Sequence, residues 1–122
     1  MKKGIGMLAM MALVSVLVVA LVACGVPGNY KDGMEKMKGK GYDVNDVTTL
    51  SVSGSYLAFR ASEGDERMTA VYFPKSTESK SAESFYASTQ KTSTTYVVKK
   101  TTAGNFIVVY FGTEGAVKDF EK

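Results

Sequence analysis

The chain has 122 residues, 45 % of them hydrophobic and 22 % charged, and a formal net charge of +3. It contains no histidine, which removes the commonest general base and metal ligand, and its one cysteine has no partner for an intrachain disulfide. Lysines and acids are interspersed rather than gathered into a basic stripe, so no nucleic-acid partner is expected.

Lys2 and Lys3 precede a stretch from Gly4 to Ala23 that carries no charge. A basic start followed by an apolar run and small residues has the form of a secretory signal. The run ends at Leu21-Val22-Ala23-Cys24, where the hydrophobicity stops at the only cysteine. These four residues resemble the lipobox of bacterial lipoprotein precursors: a leucine or branched residue, a tolerant position, a small residue, then cysteine. The resemblance implies that the Cys24 sulfur receives a diacylglyceryl group. It also implies that a peptidase recognises Leu21, Val22 and Ala23 and cuts before Cys24. The expected organisation is a signal peptide over 1–23, a lipidated tether over 24–29 and a single domain over 30–122. That domain would lie on the extracytoplasmic side of a bacterial cell membrane, held by lipid. An uncut membrane span competes for the same run, since roughly 18 apolar residues suffice. After cleavage 99 residues remain, enough for one domain with its own core, and the charge falls to +1.

Tyr30, Met34 and Met37 recur at helical spacing, which predicts a short helix over 30–38 capped by Asn29 and ended by Gly39 or Gly41. Val44, Val47, Leu50 and Val52 give one weak strand signal between Tyr42 and Ser55. Tyr56–Ala61 and Met68–Phe73 flank Glu63-Gly64-Asp65-Glu66 and predict a hairpin. Ser76 or Thr77 is the expected cap of a helix running to about Gln90 that buries Ala82, Phe85, Tyr86 and Thr89. The plan then repeats, with strands at 95–101 and 106–111 around Ala103-Gly104-Asn105. A last helix follows, with Ala116, Val117 and Phe120 on one face. Val71-Tyr72-Phe73 echoes Val109-Tyr110-Phe111, and either a tandem ββα repeat or convergent use of one supersecondary motif would explain the echo. The fold class expected is α+β: an antiparallel sheet of four to five strands with helices on one face. Its element order resembles that of small cell-envelope lipoproteins and, more distantly, tandem-repeat inhibitor folds.

Few residues point to chemistry. Ser88-Thr89-Gln90-Lys91 matches Ser-x-x-Lys, but the companion elements of such serine enzymes are absent and one match arises by chance in a chain this rich in serine and lysine. Glu63, Asp65 and Glu66 fall short of the six or more oxygens of a calcium loop and suit a solvated hairpin tip. No metal or other cofactor is expected. The anomaly is Phe106-Ile107-Val108-Val109-Tyr110-Phe111, apolar on both faces where a half-wet strand should alternate. Either the second face is covered internally, by the 42–55 segment or the first helix, or it is an open surface. The open reading makes Tyr72, Phe106, Val108 and Tyr110 a surface for another protein, a second copy or an envelope ligand. The expected function is a non-enzymatic, lipid-anchored binding module. An envelope-acting hydrolase and a purely structural lipoprotein are the alternatives.

Overall fold

The computed structural model describes residues 25–48 and 56–122. The signal segment, Leu21, Val22, Ala23 and Cys24 therefore lie outside the described residues, as do residues 49–55 of the weak 42–55 segment, with its Leu50 and Val52. Among the described residues three helices, α1 (Tyr30–Gly39), α2 (Ser79–Thr92) and α3 (Glu114–Glu121), accompany five strands. The strands are β1 (Asp43–Asp46), β2 (Leu57–Glu63), β3 (Glu66–Pro74), β4 (Val97–Ala103) and β5 (Phe106–Gly112). They form one antiparallel sheet in the order β1-β2-β3-β5-β4. The α+β class and the antiparallel sheet are as expected.

Both hairpins close through two-residue loops that begin with a glycine at positive φ, Gly64 at 60° and Gly104 at 58°. Only a residue without a Cβ adopts that backbone at little cost, so these loops fix the register of both pairs. Helix α1 begins at Asn29, whose Oδ1 accepts the Asp32 N–H at 2.9 Å. It ends where the Gly41 N–H donates to the Lys38 carbonyl and the Tyr42 N–H to that of Met37, the Schellman pattern with Gly41 at φ 94°. The α2 start differs from expectation. Thr77 and Glu78 donate their N–H groups to the Pro74 carbonyl in a turn, and the helix begins at Ser79 without a side-chain cap. Helix α3 draws its cap from elsewhere in the chain: Glu66 Oε1 accepts from the Ala116 N–H at 3.1 Å and from the Thr113 hydroxyl.

The helices occupy both faces of the sheet, which corrects the expectation of one covered face. On the first face α1 and α3 bury Met37, Ala116, Val117 and Phe120 against Phe59, Met68, Tyr72, Val108 and Tyr110. On the second, α2 lays Ala82, Phe85 and Tyr86 over Ala58, Val71, Phe73, Ile107 and Val109, with Val47 and Tyr56 joining at the β2 end. Two cores explain why β3 and β5 are apolar throughout. Each large side chain buried fully contributes about 1.5–3 kcal/mol. The two-faced packing also breaks the repeat. Val71 pairs with Val109 and the strands follow the echo, but the helices after β3 and β5 go to opposite faces.

A candidate ligand recess on the second sheet face

Strand alternation sends Tyr72, Val108 and Tyr110 to the first face, where they are buried under α1 and α3, with Phe106 packed at the margin. The partner surface expected of these four residues is therefore part of the core. Their hydroxyls are occupied as well. Tyr110 Oη donates to Glu121 at 2.6 Å and Tyr72 Oη to the Pro27 carbonyl at 2.9 Å, while Tyr42 Oη donates to Asp119 at 2.8 Å. Burial comes first in pushing the Tyr42, Tyr72 and Tyr110 hydroxyls well above the usual tyrosine value, with Asp119 and Glu121 adding to it at Tyr42 and Tyr110. Tyr30 is pushed up to about 12, again mainly by burial. A folded-state value above the unfolded one gives stability that is complete below pH ~10 and lost as pH rises through the folded value. The denaturant midpoint should thus hold steady to pH ~10 and fall between pH ~10 and ~12. A midpoint flat to pH ~12 would show that these hydroxyls ionise freely in the fold.

Residues 25–29 of the segment expected as a tether are docked onto the first face. Val26 is buried, and Lys36 Nζ donates to the carbonyls of Gly25 and Phe120, each at 2.7 Å. Burial, and then neighbouring Lys40, hold the Lys36 ammonium below the usual lysine value. The backbone of residue 25 touches that of Glu121 so closely that a Cβ there would overlap its carbonyl. The chain thus enters the domain at Gly25, on the side carrying α1 and α3, with no slack after it.

The second face is covered only in part. Helix α2 lies over the rows containing Phe73, Val71 and Val109, and its Phe85 ring reaches Phe111 at a centroid distance of 6.2 Å. Beyond Phe111 none of the described helices covers the sheet. There Arg60, Arg67, Thr69, Tyr96 and Phe111 line a recess of about 270 Å³. Register builds it: Arg60 lies opposite Thr69, and Thr69 opposite Phe111. Arg67 stands two residues before Thr69 on the same face, a diagonal neighbour of Arg60 at about 7–8 Å between backbones. Tyr96, one of the most exposed large apolar side chains among the described residues, leans in from the start of β4.

These are the only two arginines in the chain, against 13 lysines. Among the described residues neither guanidinium has an ion pair or side-chain hydrogen bond. The same alternation turns the hairpin glutamates away. Glu63 and Glu66 face the α1–α3 side, where Glu66 caps α3, while Arg60 and Arg67 face the other. Asp43 shares the arginines' face as a diagonal neighbour of Arg60, about 7–8 Å between backbones, and lies two strands from Arg67, about 10 Å; it makes no ion pair with either. The Arg67 backbone is held by Thr113, through an N–H to its hydroxyl and a carbonyl that accepts its N–H.

Sequence reasoning missed this site because each arginine sits in an ordinary strand or turn. Their scarcity among so many lysines, with a hairpin register placing them on one face, was the signal that could have found them. Ser88 and Lys91 are both exposed on α2; Ser88 borders a shallow surface recess that Lys91 does not line. Among the described residues no group of acidic side chains is gathered to hold a metal ion, and no helix is long and apolar enough to cross a membrane. Comparison with known proteins finds no matching family model, no matching curated protein and no matching solved structure.

Proposed function

We propose that the chain is a lipid-anchored binding module on the extracytoplasmic side of a bacterial membrane, non-enzymatic, with its ligand site in the Arg60–Arg67 recess. The observation that carries the binding role is the placement of both arginines, without an ion pair among the described residues, in a recess on the second sheet face beside the part that α2 covers. Two guanidiniums beside the exposed Tyr96 ring and the half-buried Phe111 ring offer charge and apolar surface together, which a ligand can use. The anchoring role rests on Leu21-Val22-Ala23-Cys24 and on the docked segment that follows. Cys24 is one peptide bond from Gly25, and two acyl chains are enough for a stable anchor. Lipid at Cys24 would therefore bring the α1–α3 side toward the headgroups and leave the recess facing away from them.

Anchoring is tested with the full chain expressed in a bacterium fed radiolabelled palmitate. The wild type should carry label and run at the size of the cleaved form. Cys24→Ala should carry none and accumulate as the longer precursor, still in the membrane fraction through its apolar N-terminal run. Normal processing of Cys24→Ala, or undiminished label, would overturn the lipid anchor.

A further inference from the structure

We infer that Arg60 and Arg67 together receive one phosphate group of a phosphate ester, with the ester's organic part resting on Phe111 and Tyr96. This rests on the recess being the ligand site and adds the class of ligand. Arginine is the residue suited to the task. Its planar fork matches phosphate oxygens two at a time and stays charged at all working pH, whereas lysine offers a single hydrated point charge. A chain that uses lysine at 13 of 15 basic positions and arginine only here separates the two roles. Two guanidiniums that line one recess from diagonal positions, with Thr69 opposite Arg60, lie within reach of a single anion. A phosphate monoester carries up to two negative charges on three terminal oxygens and so meets both forks at once, while a single carboxylate fills one. The recess walls are not all polar. Phe111 and Tyr96 offer apolar ring surface beside the charges, which inorganic phosphate would leave unused. The phosphate is expected outside the headgroup layer that holds the domain, because Gly25 enters on the opposite side of the sheet.

The chain's two arginines make a direct test possible. The full chain, in non-ionic detergent and labelled with ¹⁵N-arginine, should give two side-chain Nε–Hε signals, assigned with Arg60→Lys. Phenyl phosphate should move both along one saturable curve. Inorganic phosphate should move both with roughly tenfold weaker affinity for want of the ring contact, and benzyl alcohol should move neither. Arg60→Lys and Arg67→Lys keep the charge and lose the fork, so each should weaken phenyl phosphate about tenfold or more. Lys118→Gln, on the far side of the sheet, should leave it unchanged. Vesicles of phosphatidic acid supply the same phosphate as a headgroup. Movement of both signals by vesicles and not by phenyl phosphate would overturn the assignment of a ligand outside the membrane. Separate curves for the two signals, or lysine variants that bind as the wild type does, would overturn the shared clamp. If benzoate moves the signals and neither phosphate does, the phosphate assignment falls and the binding module stands. If no anion moves them, both fall, while the palmitate test of the anchor is unaffected.

Discussion

Phe120→Ala is expected to lower the stability of the domain by about 3–5 kcal/mol. Phe120 has no exposed surface, and its ring lies 6.0 Å from that of Phe59 and 5.1 Å from that of Tyr110, edge-on to both. It is the point at which the last helix is held to the sheet. Beside it the Phe120 carbonyl accepts from Lys36, which also holds Gly25, and the next residue, Glu121, accepts from Tyr110. Removing the ring leaves a cavity under a helix of only 8 residues, and one that short gains little from its own backbone bonds. Against a total of about 5–15 kcal/mol, the variant would lie near the limit of folding. Leu57→Ala is the control: that side chain is 42 % exposed and should cost less than about 1 kcal/mol. Denaturant midpoints for the two variants decide the matter. A Phe120→Ala loss as small as that of Leu57→Ala would mean that α3 is not the closing element of the first core.

Much of this packing was legible in the sequence. Ala116, Val117 and Phe120 recur at helical spacing and are all buried, and Ala82 with Phe85 and Tyr86 forms the contact face of α2. Hairpin loops at Gly64 and Gly104 were equally plain, because positive φ there has few solutions other than glycine. What periodicity could not supply was the side of the sheet to which each helix returns. An amphipathic helix has the same pattern on either face, and β3 and β5 are apolar on both, so nothing local separated α2 from α3. That one missing piece misplaced the candidate surface. Tyr72, Val108 and Tyr110 looked free only while one layer of helices was assumed. The recess escaped for a related reason. Arg60 and Arg67 are seven residues apart in the chain, and only the hairpin register makes them neighbours on one face. The docked entry at Gly25–Asn29 was also invisible, since its contacts are mostly backbone carbonyls reached by Lys36 and Tyr72 from distant positions.

Gly112→Ala adds a single methyl group and should still cost about 1–3 kcal/mol or more. The requirement is for space and not for an unusual backbone, since Gly112 is absent from the glycines at positive φ. A Cβ there would lie 2.1 Å from the Arg67 carbonyl oxygen and 2.5 Å from the Met68 Cα. Both obstacles are backbone of β3, a central strand paired on both sides, so neither can rotate away. Relief has to come from separating β5 from β3 at this end. That separation would stretch the Thr113 N–H bond to the Arg67 carbonyl, 2.8 Å long, and the return bond from the Arg67 N–H to the Thr113 hydroxyl at 3.1 Å. The start of α3 follows directly, so its Glu66 cap would be disturbed as well. Gly39→Ala is the matched control. Nothing lies within 4 Å of its added methyl, and alanine in the last turn of α1 should be neutral or gain up to about 1 kcal/mol. A second consequence separates local strain from general unfolding. In Gly112→Ala under folding conditions the Arg67 Nε–Hε signal should shift more than that of Arg60, because the displaced backbone carries the Arg67 side chain with it. Equal midpoints for the two glycine variants would mean that β3 and β5 do not approach as closely as described. A lowered midpoint with both arginine signals unmoved would mean instead that the strain is relieved in α3, leaving the recess intact.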